Sequence, residues 1–185
     1  MASRAVEPDA TAVRRRARLL YSARDVSRAI KRMAREIEST LRGANPVVLA
    51  VMHGGVFTAV NLCARFKFPY EFDYVHVTRY ANRLTGGELD WRVRPSAKLA
   101  GRTVLIVEDI LDRGLTLMAL QEELRQLGVA RQYTVALAIK QLGNRIERPR
   151  VDFSCFTIED VYVFGCGMDY QGYWRGLRGL YAIDA

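Results

Sequence analysis

Three cysteines, two histidines and five prolines in 185 residues are too few for a disulfide scaffold, a His/Cys metal cluster or a proline-rich extended segment. Cys63, Cys155 and Cys166 are odd in number, lack any C-x-x-C spacing and stand in apolar surroundings, so reduced thiols in or near a core are expected. No apolar run approaches the ~20 residues that cross a bilayer, which excludes a helical membrane span. The opening M-A-S-R-A-V-E-P-D-A holds no apolar signal core, and a cytoplasmic protein without a membrane partner is the expectation. Internal repeats and low-complexity segments are absent as well. What remains is ordinary globular composition, 50% hydrophobic and 26% charged. A chain of this length fits one domain that buries roughly 70% of its unfolded surface.

The net charge of +8 points to nucleic acid until it is divided along the chain. Residues 1–42 hold 11 of the 28 Lys and Arg against 5 of the 20 Asp and Glu, which leaves 17 against 15 for everything after. Much of the excess falls in Val13 to Arg18 and on a helix expected over Ala23 to Leu41, with Ser22 as N-cap. Val26, Ile30, Met33, Ile37 and Leu41 repeat there at helical spacing, and Arg24, Arg28, Lys31, Arg32 and Arg35 lie largely off that stripe. A solvated helix face is preferred to an RNA-binding surface, so no nucleic-acid partner is expected.

Gly43 to Pro46 then breaks the pattern before an apolar strand, Val47 to Met52. His53-Gly54-Gly55 reads as a tight turn into a helix near Val56 to Phe66. A strand around Phe72 to Val77 leads into a polar, glycine-bearing loop over residues 78–90, long enough to have a task. Val104 to Val107 and Tyr133 to Ile139 are uninterrupted apolar runs, as expected of strands buried on both faces of a parallel sheet. Strands alternating with helices give an α/β fold with a mostly parallel sheet.

The densest chemistry lies in Thr103 to Thr116, read T-V-L-I-V-E-D-I-L-D-R-G-L-T. Glu108 and Asp109 follow an apolar strand, at the sheet edge where ligands of open α/β sheets bind. Adjacent residues of an extended chain point to opposite sides, so the two acids can serve different partners. Asp112, Arg113, Gly114, Leu115 and Thr116 form a turn before a helix marked by Leu117, Leu120, Leu124 and Leu127 and ended by Gly128. Backbone N–H groups at such a helix start suit an anion. Taken singly, Asp112 reads equally well as an ordinary N-cap and Gly114 as an ordinary turn glycine.

Taken in order, these residues resemble the phosphoribosyl-pyrophosphate (PRPP) signature of type I phosphoribosyltransferases. From Val47 onward the chain is similar to the hypoxanthine-guanine branch. V-M-H-G-G-V-F-T-A resembles its pyrophosphate loop and T-R-Y-A-N the start of its lid. A-L-A-I-K resembles the strand ending in its purine-contacting lysine, and V-Y-V-F-G-C-G-M-D-Y-Q-G-Y-W-R its purine-and-metal segment. The resemblance implies the type I phosphoribosyltransferase fold, with a small hood formed by terminal segments. It also implies transfer of a phosphoribosyl group from PRPP to hypoxanthine or guanine, with Mg²⁺, in purine salvage. On this reading residues 1–18 are a mobile basic arm and 19–185 one domain with a flexible lid near 78–90.

The resemblance further implies roles for single residues. Glu108 and Asp109 hold the ribose hydroxyls, directly or through Mg²⁺, and Asp112 to Thr116 hold the 5′-phosphate. Asp112 also faces N7 of the purine, where a carboxylate can act as general base. His53, Gly54, Gly55, Arg79, Tyr80 and Arg175 face pyrophosphate. Lys140 donates to O6, Tyr162 stacks on the ring, Val163 offers backbone contacts, and Asp169 is a second metal contact beside the base. Family members are dimers or tetramers, so a homo-oligomer is implied. Two positions depart from the family: His53 stands where many members carry lysine, and Arg79 where the lid begins with serine. Arg79 is expected to supply, on lid closure, charge that His53 does not hold near neutral pH. A cis peptide is implied at Met52-His53. Xanthine, which also carries O6, stays open as a substrate, as does a PRPP-sensing, RNA-binding regulator on the same fold.

Overall fold

The computed structural model describes residues 10–79, 89–143 and 148–183, with Arg79 and Leu89 described by backbone alone. Within them a short helix α1 (Ala10–Arg16) and strand β1 (Arg18–Tyr21) precede the long helix α2 (Ala23–Leu41). Next come β2 (Val47–Val51), α3 (Gly55–Cys63), β3 (Glu71–Arg79), β4 (Leu89–Val93), β5 (Thr103–Leu111), α4 (Leu115–Gln126) and β6 (Arg131–Lys140). The last described strands are β7 (Phe153–Ile158), β8 (Tyr162–Phe164) and β9 (Leu180–Ile183).

The apolar runs become the inner strands of a six-stranded sheet ordered β4-β3-β2-β5-β6-β7. Every pairing in it is parallel except that of β4 with β3. A separate antiparallel sheet, β1-β9-β8, joins the two ends of the chain and forms the hood. Alternation along β5 divides the core: Val104 and Ile106 face α4 with Leu117, Leu120 and Leu124, while Leu105 and Val107 face the side covered by α2 and α3. Fully burying each such Leu or Ile is worth about 1.5–3 kcal/mol over leaving it exposed.

Helix α2 has the expected bounds, because its start is chemically specified. Ser22 Oγ accepts from Asp25 N–H at 3.3 Å, and Ser22 N–H donates to the Asp25 carboxylate at 3.1 Å, a reciprocal capping box. Its apolar stripe is buried from Val26 to Leu41. Several basic residues off the stripe meet acids of the same helix: Arg28 pairs with Asp25, Arg32 with Glu36 at 3.7 Å and Arg42 with Glu38 at 2.6 Å. Such self-pairing suits a solvated helix face.

Three expectations change. The arm expected to be mobile is helical over Ala10–Arg16 and docked on the hood. Trp174 Nε1 donates to the Ala10 carbonyl at 2.7 Å, and the Arg14 guanidinium lies 3.9 Å from the centre of the Tyr181 ring while donating to its hydroxyl at 2.8 Å. Strand β5 does not stop at Val107, because Glu108, Ile110 and Leu111 pair with Ala136, Ala138 and Ile139 of β6. The base of the 78–90 loop is an antiparallel ribbon, with Thr78 opposite Asp90 and Arg79 opposite Leu89. Residues 80–88 of that loop lie outside the described residues.

Candidate active site

Glu108 and Asp109 lie on β5 at the carboxyl edge of the sheet, and they do point apart. Glu108 lines a cleft of about 500 Å³ together with Asp112, Arg113, Gly114 and Thr116. Asp109 points across to the loop after β2, where a Cβ on Gly54 would fall 1.7 Å from its Oδ2. The next glycine is equally constrained, since a Cβ on Gly55 would fall 2.2 Å from the Val107 carbonyl oxygen. The paired glycines therefore let the loop after β2 lie against β5. Burial, reinforced by the charge of Asp109, holds Glu108 well above the usual carboxylate range. Burial also raises Asp109, although its own backbone neighbours and the Arg175 guanidinium act the other way. A ligand that brings hydroxyl donors or a cation to this pair relieves that cost.

Beyond β5 the chain turns at Gly114, whose φ of +72° lies in the left-handed region, and α4 begins with no side-chain cap. The open N–H groups of the first turn thus face the cleft, as an anion site requires. Asp112 is not the N-cap. Its Oδ2 lies 3.2 Å from Lys140 Nζ, at the end of the neighbouring strand β6. Lys140 in turn reaches Asp160 Oδ1 at 3.0 Å. Burial works to lower the Lys140 pKa, but hydrogen bonds first to Asp160 and then to Asp112 outweigh it and hold the ammonium above its ordinary value.

The hood supplies the remaining groups. Tyr162 opens β8 with its ring exposed and its hydroxyl donating to the Asp169 carbonyl at 2.9 Å, while Val163 is buried. The Asp169 carboxylate takes Arg175 Nη2 at 2.5 Å on one oxygen and Gly172 N–H at 2.6 Å on the other. Arg175 Nη1 donates to the Gly167 carbonyl at 2.8 Å. His53 follows a cis peptide at Met52-His53, as implied, and its ring stands edge-on to His76 with centroids 4.5 Å apart. Burial, then the His53 ring and Arg92, depress the His76 pKa against the pull of Asp90. Tyr80 and the Arg79 side chain lie outside the described residues.

Two residues at the site went unread in the sequence. Asp160 carries no motif of its own, being one of many acids near a strand end. Trp174 stands in the quoted purine-and-metal segment without a role of its own, and only the fold shows that it ties the Arg175 segment to the N-terminal helix. Among the described residues no group of three or more His, Cys, Asp and Glu side chains forms a ready metal cage.

A mostly parallel sheet with paired acids and an uncapped anion loop on its central strand, roofed by an antiparallel hood, defines a type I phosphoribosyltransferase. The profile of the family described as "Phosphoribosyl transferase domain" matches residues 19–171. The hypoxanthine-guanine-xanthine phosphoribosyltransferase of Tritrichomonas foetus is 31% identical over 160 residues, 86% of this chain and 87% of that one. The hypoxanthine-guanine phosphoribosyltransferase of Lactococcus lactis is 32% identical over 161 residues, again 86% and 87%. Among solved structures, the hypoxanthine phosphoribosyltransferase of Trypanosoma cruzi superposes with a TM-score of 0.82 at 29% identity, covering 90% of this chain and 94% of that one. The chain belongs to the phosphoribosyltransferase family, in its hypoxanthine-guanine branch.

Proposed function

We propose that the protein transfers the 5-phosphoribosyl group of PRPP to N9 of hypoxanthine or guanine, giving IMP or GMP and pyrophosphate in purine salvage. One observation carries the choice of base: Lys140 Nζ and Asp112 Oδ2 stand 3.2 Å apart beside the uncapped start of α4. A 6-oxopurine needs a donor at O6 and a base at N7, and the adjacency of an ammonium and a carboxylate supports that reading. Adenine carries an amino group where Lys140 needs an acceptor. Tyr162 gives the ring a face to stack on.

Loss of pyrophosphate leaves oxocarbenium character on the ribose, so anions belong near the sugar and cations on the leaving group. Glu108 and Asp109 hold the ribose hydroxyls, and the Asp112 to Thr116 turn holds the 5′-phosphate. Asp112 accepts the purine proton at N7. His53, Gly54, Gly55, Arg79, Tyr80 and Arg175 bind pyrophosphate, and Val163 and Asp169 complete the purine pocket. The oxygen-only donors Glu108, Asp109 and Asp169 fit Mg²⁺, which takes few protein carboxylates and fills its shell with substrate oxygens and water. When bound, it screens the charge of the phosphates and ribose oxygens. Asp169 already accepts from Arg175 and Gly172, and the remaining lone pairs of its carboxylate are what it would offer the metal.

The test is a Mg²⁺-dependent assay with PRPP and each of hypoxanthine, guanine, xanthine and adenine. IMP and GMP are expected, with no AMP. No nucleotide from either hypoxanthine or guanine ends the proposal, and turnover of xanthine widens the substrate range without altering the site.

A further inference from the structure

Lys140 is the last residue of β6, its side chain 13% exposed, and its ammonium meets two carboxylates rather than one. An ammonium has three donors. One lies on Asp112 and one on Asp160, which among the described residues leaves the third for a ligand. The two acids are not equivalent. On the function proposed above, Asp112 takes a proton in the reaction and then no longer attracts the ammonium as an anion. Asp160 takes no part in that proton transfer.

The backbone fixes Asp160 in place. Ile158 of β7 pairs with Lys140 itself, and Gln141 N–H donates to the Ile158 carbonyl at 2.7 Å. Two residues on, Asp160 sits in the short connection that ends at Tyr162, where Val161 N–H donates to the Glu159 carbonyl at 2.9 Å. The acid that grips the lysine and the aromatic offered to the ring thus share one short strand-to-strand link. Exposed ion pairs contribute little, yet this pair joins an exposed acid to a lysine whose side chain is largely covered. A lysine on a flexible four-carbon stem, held only by Asp112, would lose its sole anionic anchor once that carboxylate takes a proton.

We propose that Asp160 is a positioning residue for purine recognition, which shares the Lys140 ammonium with Asp112 and so keeps it anchored and turned toward O6. This rests on the function proposed above. In Asp160→Asn, the KM for hypoxanthine and the Kd for GMP should each rise about tenfold, while the KM for PRPP stays within about twofold. Asp160→Glu should recover most of the loss. In a Lys140→Ala background, Asp160→Asn should shift the Kd for GMP by less than about twofold, because the residue acts through the lysine. Thermal unfolding midpoints check that each variant is folded. Normal GMP affinity in Asp160→Asn, an equal loss in the Lys140→Ala background, or a parallel rise in the PRPP KM overturns the assignment while the enzyme still makes IMP. A wild-type protein that makes neither IMP nor GMP overturns the underlying function instead, and this role with it.

Discussion

Asp112 neither caps α4 nor fills a core, so its side chain has no evident structural task. Its one ion pair among the described residues is with Lys140, and a carboxamide of the same shape would keep a hydrogen bond there. Asp112→Asn should therefore leave the thermal midpoint and GMP binding near wild type, while kcat falls by about 10²- to 10⁴-fold, the usual contribution of a positioned base. A kcat within threefold of wild type would remove Asp112 from that role. The place of this residue in the turn before α4 was legible in the sequence because strand, paired acids, turn and helix are contiguous. Asp160 was not legible, since its meaning depends on Lys140, 20 positions away and on a different element. Trp174 and Ala10 are 164 positions apart, and no local pattern encodes their contact.

Elements with a local chemical start or stop were read well, and those defined by distant pairing were not. Ser22 and Asp25 specify the first turn of α2, and Gly128, with φ of +77°, closes the C-terminus of α4, where its N–H donates to the Arg125 carbonyl at 3.1 Å. By contrast β1 has four residues and finds its partner β9 at the far end of the chain, so no period in the sequence announces it. The end of β5 was misread for a related reason. Two acids look like the close of a strand until the neighbouring β6 is seen to run on beside them. The docking of α1 also has a measurable consequence. Deleting residues 1–17 removes the indole hydrogen bond of Trp174 and the Arg14 contact with Tyr181, together worth about 1–3 kcal/mol. The melting midpoint should drop by roughly 2–10 °C. Because Trp174 precedes Arg175, the KM for PRPP should rise more than that for hypoxanthine. An unchanged midpoint with unchanged PRPP kinetics would show that α1 contributes nothing to the hood.

At the scale of the whole molecule, the two cores flanking the sheet hold the fold without a disulfide among the described cysteines. That choice makes the protein sensitive to alkali. Burial pushes Cys155 and Cys166 up to about 12, and raises Cys63 as well. A thiol in the unfolded chain ionises near 8.5. Between about pH 9 and 12 the folded protein thus binds these protons while the unfolded chain has lost them, and stability must fall as pH rises. It is fully present below the unfolded value and disappears as the folded value is approached, by about 1.4 kcal/mol per pH unit for each fully shifted thiol. Urea unfolding at pH 8, 9, 10 and 11 should show a midpoint that is steady at first and then declines, with a shallower decline in Cys155→Ala. Alkylation gives an independent reading, because a thiolate reacts and a thiol does not. At pH 8.5 native Cys155 and Cys166 should resist iodoacetamide and become labelled once urea unfolds the chain. Labelling of native Cys155 at the rate of a free thiol, or a midpoint that stays level to pH 11, would mean that the sheet and its covering helices open far more readily than their packing implies.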